Sequence, residues 1–261
     1  MRMFRGLVLA AAMLTAFSAG QADAAELKVL CAGAMRSALQ ELARGFEAVS
    51  GHKVVLEFAT AGKVEERVAA GEDVDVAILT QPRINKLMRE GRVVGGTIVP
   101  LARVQIGLAV KKGAPKPDIS SVEAFKQTLL TAKSVAYIDP ASGGTSGIHL
   151  AQVLDKLGIA AELKPRLRLV MPPAGQQSAR VGEVVARGEA EIGMQPVSEL
   201  MEVPEVDVVG PLPAQLQSPD LSFFAGSTFL SEHAIAAKAL IDFLNGPKAV
   251  EVYKAKGLLP G

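Results

Sequence analysis

The chain has 261 residues, 49% of them hydrophobic, with 28 lysines and arginines against 27 aspartates and glutamates. That length allows one large domain or two small ones, and a net charge of +1 gives no field for nucleic acid or an anionic membrane surface. The lone cysteine, Cys31, rules out an internal disulfide, so the fold must rest on an apolar core in which that thiol is expected to be buried.

The first residues read as an export signal. Arg2 and Arg5 flank a basic start, Gly6 to Phe17 is an almost wholly apolar run, and Ala22-Asp23-Ala24 is a small-x-small cleavage site. The run is too short to anchor the chain in a bilayer. Cys31 follows Leu30, too far beyond the run for lipid attachment. Cleavage after Ala24, with Ala22 and Ala25 as close alternatives, gives a signal peptide at 1–24 and a soluble periplasmic product.

From Leu27 the chain alternates strands and helices. "LKVLCAGAMRSALQELARGF" (27–46) reads as a strand, a turn over Ala32-Gly33-Ala34 and an amphipathic helix, with Leu39, Leu42, Ala43, Phe46 and Val49 at helical spacing and Gly51 as the stop. Val54, Leu56 and Phe58 alternate as a strand, followed by a loop over Ala59 to Lys63, a helix over Val64 to Ala70 and a buried strand over Asp75 to Leu79. This order implies parallel crossovers and an α/β sheet covered on both faces.

A further strand spans Gln105 to Val110, and Ser120 with Glu123 predicts a capping box ahead of the next helix. A second series follows: strand 135–138, the loop "DPASGGTSG", helix 148–157 stopped by Gly158, strand 167–170, helix 178–187 and strand 190–194. The chain closes with strand-like "LSFFAG", a helix over His233 to Leu244 capped by Ser231, and a short helix ending at Gly257. The fold class is therefore α/β, with two lobes: 25–104 plus 222–261, and 105–221, separated by a ligand cleft.

In such folds ligands lie beyond the carboxyl ends of the strands. The candidate ligand residues are Ala34, Met35 and Arg36 at the first turn, Thr60, Ala61, Gly62 and Lys63 at the second, and Thr80 after the third strand. Gly144, Thr145, Ser146, Gln177, Arg180 and Gln195 come from the second lobe. Helix starts at these turns present free N–H groups and a positive dipole end, which suits an anion. Arg36, Lys63 and Arg180, with the amides of Gln176, Gln177 and Gln195, suit carboxylates. Gly143 and Gly144 let backbone approach a ligand, while Thr145 or Ser146 could equally cap the following helix. The three histidines are far apart without metal-ligand spacing, and the chain has no G-x-S-x-G elbow and no dinucleotide or Walker fingerprint.

"AGAMRSALQELARGFEAVSGHKVVLEFATAGKVEERVAAGEDVDVAILT", the "DP" before the second-lobe helix, "GEAEIGMQP" and "FLNGPKAVEVYKAKGL" together resemble the molybdate-binding periplasmic proteins of ABC transporters, which have the type 2 solute-binding fold. The resemblance covers essentially the whole mature chain. It implies a small-molecule anion as ligand, an ABC permease as partner if the protein serves transport, and a monomer. Where molybdate binders of this family offer two serine hydroxyls and a tyrosine, this chain has Ala34, Ala61 and Pro196. Each lost donor would cost about 1–3 kcal/mol if ligand oxygens stayed unpaired, so a ligand other than molybdate or sulfate is expected.

Two functions fit. One is a carrier that closes on an organic anion and presents it to a permease. The other, favoured because the cations and amides suit a polycarboxylate, is an isomerase similar to exported proteins of this scaffold that interconvert trans- and cis-aconitate. That reaction moves an allylic proton and needs no metal or organic cofactor, only a base and a fixed positive surround. Lys63 and His149 are the catalytic candidates, with Glu66 a third.

Overall fold

The computed structural model describes residues 24–173 and 179–261. The expected signal segment up to Asp23, together with Gln176, Gln177 and Ser178, lies outside the described residues. In chain order the first lobe begins with β1 (Glu26–Ala32), α1 (Arg36–Ser50), β2 (Lys53–Ala59), α2 (Ala61–Ala69), β3 (Val76–Thr80), α3 (Gln81–Arg89) and β4 (Val99–Arg103). Then follow β5 (Ile106–Lys111), α4 (Val122–Thr131), β6 (Val135–Ile138), α5 (Thr145–Lys156), α6 (Ala160–Leu163) and β7 (Leu167–Val170). After them come α7 (Val181–Ala186), β8 (Ile192–Pro196), α8 (Val197–Leu200) and β9 (Val206–Pro211). The chain ends with β10 (Ser222–Ser227), α9 (Ala234–Leu244), α10 (Pro247–Ala255) and β11 (Leu259–Pro260).

These strands form two sheets, ordered β11-β4-β10-β3-β1-β2 and β7-β6-β8-β5-β9. The strand-helix-strand repeats do give parallel pairs, β1 with β2 and β3, and β6 with β7 and β8. The sheets are nevertheless mixed. β10 runs antiparallel between β3 and β4, and β5 runs antiparallel between β8 and β9. The reason is topological: the chain leaves the first sheet after β4 and returns as β10, and a strand arriving from the other lobe needs no crossover helix.

The core explains which segments are strands. β3 is buried along its whole length, and edge strand β2 alternates exposed and half-buried residues. Cys31 is fully buried, and burial pushes its thiol well above its ordinary value. Phe46 of α1 meets Phe243 of α9 edge-on at 5.6 Å between ring centres, and the Tyr253 hydroxyl donates to the Leu244 carbonyl at 2.8 Å, tying α10 to α9.

Several element starts differ from the sequence expectation. α2 begins at Ala61 with Thr60 as its cap, and α5 begins at Thr145 with Gly144 as its cap, so residues expected in loops stand in first helical turns. Ser121, not Ser120, caps α4, its Oγ accepting the Ala124 N–H at 3.1 Å. Ser231 is not the cap of α9: its Oγ accepts the His233 N–H at 3.2 Å and donates to Asp75 at 2.6 Å. α3, β4 and β9 have no counterpart in the sequence reading. α3 buries little beyond Ile84 and Leu87, and its start is marked by Pro82.

Candidate functional site

Where the carboxyl ends of β1, β2, β6 and β8 face one another, the two lobes enclose a cleft of about 480 Å³, its mouth included. Each strand passes directly into a helical turn: Gly33–Met35 after β1, α2 after β2, α5 after the turn that follows β6, and α8 after β8. Ala34, Ala61, Gly144, Thr145 and Ser146 bring these starts to the cleft wall. Helix starts carry the positive end of the helix dipole, so the part of the cleft they border favours negative charge. Val104, Ile138, Leu221 and Phe223 add apolar side chains to the same lining, Ile138 lying next to Gly144.

Two side chains give the cleft its chemistry. Thr145 Oγ1 is buried and has no hydrogen-bond partner among the described residues, whereas buried hydroxyls are nearly always paired. Glu199, in α8, reaches the cleft from below. Its Oε2 accepts a hydrogen bond from the Gln195 side-chain amide. Gln195 is 1% exposed and is itself fixed, accepting the Val181 N–H at 2.8 Å and donating to the Ala179 carbonyl at 3.1 Å. Burial pushes the Glu199 carboxyl up to about 8; the Glu202 charge adds to this, while Arg36, Arg180 and the Gln195 hydrogen bond hold it back. Arg180 in turn pairs with Glu202 at 3.1 Å, and the Arg36 guanidinium lies 4.3 Å above the Phe58 ring.

The lobes are held together over this space. The Gly62 N–H donates to the Gly143 carbonyl at 3.0 Å, Thr60 Oγ1 donates to the Ser142 carbonyl at 2.8 Å, and Arg83 reaches Gly143 O at 3.4 Å. Deeper, buried Ser198 donates to the Ala34 carbonyl at 2.8 Å. All four contacts cross between lobes.

Of the residues expected at the site, Ala34, Thr60, Ala61, Gly144, Thr145 and Ser146 line the cleft, and Gln195 lies directly beneath it. Met35 is fully buried in the core. Gly62 faces Gly143, Arg36 over Phe58 and Arg180 beside Glu202 are not among the lining residues, and Gln177 lies outside the described residues. Thr80 is buried at the end of β3 and borders a neighbouring groove.

Neither of the two catalytic candidates, Lys63 and His149, is among the residues that line the cleft. In the first turn of α2 the Lys63 side chain points outward, its Nζ 2.9 Å from Glu66 Oε1 with both groups exposed. That pairing also takes Glu66 away from the cleft. The His149 ring donates to the Leu216 carbonyl at 2.7 Å and borders the same outer groove as Thr80 and Arg83.

The sequence reading missed Glu199 and the apolar side chains of the lining. The signal for Glu199 was present: Gln195 was a candidate ligand residue, and one more helical turn from it reaches this carboxyl. The apolar side chains could not be found that way. Val104 and Leu221 lie on the segments that pass between lobes, and only the closed arrangement brings them together.

Comparison with known proteins agrees with this architecture. The chain is 36% identical over 241 residues to an aconitate isomerase of a Pseudomonas species, covering 90% of this chain and 87% of that protein. It is 28% identical to the molybdate-binding protein ModA of Azotobacter vinelandii, covering 90% of each. The solved structure of a periplasmic molybdate-binding protein from the same organism superposes with a TM-score of 0.73 at 22% identity, over 90% of this chain and 99% of that one. That likeness shows the type 2 periplasmic binding protein fold. The family described as bacterial extracellular solute-binding protein matches residues 27–259, and the chain belongs to that family.

Proposed function

We propose that the protein is a periplasmic isomerase of a small unsaturated polycarboxylate, with trans- and cis-aconitate as the substrate pair, exported by a cleaved signal peptide and acting as a monomer. The observation that carries this reading is the mixed lining of the cleft, where helix starts and the Thr145 hydroxyl, unpartnered among the described residues, stand together with the apolar side chains of Val104, Ile138, Leu221 and Phe223. A compact inorganic oxyanion presents acceptors in every direction and would leave some of them against hydrocarbon, at a cost of about 1–3 kcal/mol each. An organic acid has both kinds of surface: carboxylates for the helix starts and a carbon skeleton for the apolar side chains. The 36% identity to an aconitate isomerase supports the same choice.

The chemistry asks little of the protein. A base removes a proton from the methylene carbon next to the double bond, the charge spreads over the allyl system and its carboxylates, and a proton returns at the other end. Helix starts aimed at the carboxylates stabilise that spread charge without reorganising. The lobes, held over the cleft by the Gly62 and Thr60 hydrogen bonds, keep water from the carbanion.

A second reading is a carrier that delivers the same organic acid to an ABC permease, supported by the likeness to ModA over 90% of the chain. Calorimetry with the mature protein tests the ligand class common to both. Aconitate or citrate should bind and molybdate should not. Binding of molybdate with no response to either tricarboxylate would overturn the ligand assignment.

A further inference from the structure

We infer that Glu199 is the acid–base residue of this cleft, its carboxylate taking the allylic proton and returning it to the far carbon of the same ligand. The inference rests on the isomerase reading and deepens it.

Position is the first argument. Among the described residues that line the cleft, Glu199 is the only one with an ionisable side chain; Lys63 and His149 are engaged elsewhere.

Orientation is the second. The Gln195 amide is locked by the Val181 N–H and the Ala179 carbonyl, and its remaining N–H is directed at Glu199 Oε2. One carboxyl oxygen is thus fixed by a buried neighbour. The other is left to the ligand. Gln195 is by this account a positioning residue.

Proton affinity fits the task. The groups that face Glu199 from the packed elements are Glu202 on its own segment, Arg180 at the start of α7, Arg36 at the start of α1 and the Gln195 amide. With burial outweighing the two arginines, the carboxyl titrates at about 8, within reach of both protonation states near neutral pH, as proton shuttling requires. The cycle balances. The ionised carboxylate gains the methylene proton as the C–H bond breaks, and the double bond shifts. The resulting carboxylic acid then gives that proton to the opposite carbon, so the residue ends as it began, without oxidant, reductant or metal.

Glu199→Gln keeps the shape and removes the base. Proton NMR of aconitate interconversion should show turnover reduced at least about 100-fold, while calorimetry shows aconitate bound as tightly as by the parent or more tightly. Parent kcat/KM should rise with pH through an inflection near 8, the value of the free carboxyl, and level off above it. Glu199→Asp, should the glutamine variant fail to fold, should retain that pH profile at a lower rate. An active parent with undiminished turnover in Glu199→Gln or a flat pH profile overturns the assignment and leaves the isomerase reading standing. An inactive parent that binds aconitate overturns both.

Discussion

Gly62 and Gly143 touch backbone to backbone across the cleft: the amide of the first lies 3.0 Å from the carbonyl oxygen of the second. A Cβ added at Gly62 would stand 3.0 Å from the Gly143 Cα and 3.1 Å from its oxygen. Gly143 itself sits at φ +73°, where a side chain would be strained. The closed form thus depends on two bare backbones from different lobes.

Gly62→Ala tests that dependence. The lobes can escape the added methyl by parting slightly, and alanine suits the first turn of α2 better than glycine by up to about 1 kcal/mol. The ligand-free protein should therefore melt no lower than the parent. Aconitate affinity should fall about tenfold, because closure over the ligand carries the penalty. Unchanged affinity by calorimetry would show that the two glycines do not govern closure.

Thr145→Val removes a buried hydroxyl that has no partner among the described residues. Losing an unsatisfied buried polar atom should leave the ligand-free melting temperature unchanged or raised. Binding should weaken by about 1–2 kcal/mol if the hydroxyl meets a ligand oxygen. A drop in ligand-free stability would mean that Thr145 is an internal structural contact.

Stability should also depend on pH through Glu199. Its folded-state value of about 8 lies above the 4.5 of an open chain. Its stabilising contribution is therefore whole below about 4.5 and is lost as pH rises through about 8. The acid-side groups act in another window. Burial works against Glu65, but Lys86 and Arg83 hold it below its ordinary value, and the Arg67 hydrogen bond does the same for Glu72. Both matter only as pH falls below about 4.5. The melting temperature of ligand-free protein should decline from pH 5 to 9 and decline less in Glu199→Gln. Parallel curves would remove Glu199 as the cause.

Much of this was legible in the sequence. β6 and β7 fall where alternation and flanking breakers put them, and Gly51 and Gly158 end α1 and α5 in the left-handed region as helix-stop glycines do. The helix-start residues Ala34, Ala61 and Gly144 to Ser146 were legible because local turn chemistry marks them. Lys63 and His149 lie outside the cleft lining for a physical reason: a residue's distance from a turn in sequence does not say which way a helical side chain faces. Starting α2 at Ala61 turns Lys63 toward Glu66 and solvent. Glu199 was hidden for a related reason, since a glutamate after a strand reads as a solvated helix residue until the first lobe packs over α8, as the Ser198–Ala34 contact shows.

The account is tested most directly by incubating the metal-free mature protein with trans-aconitate in deuterated water and following proton NMR. The account predicts a catalytic approach to one trans/cis mixture from either isomer, with deuterium entering the product methylene to the extent that the abstracted proton exchanges before its return. Tight aconitate binding with neither interconversion nor deuterium uptake would contradict it and leave a carrier in its place.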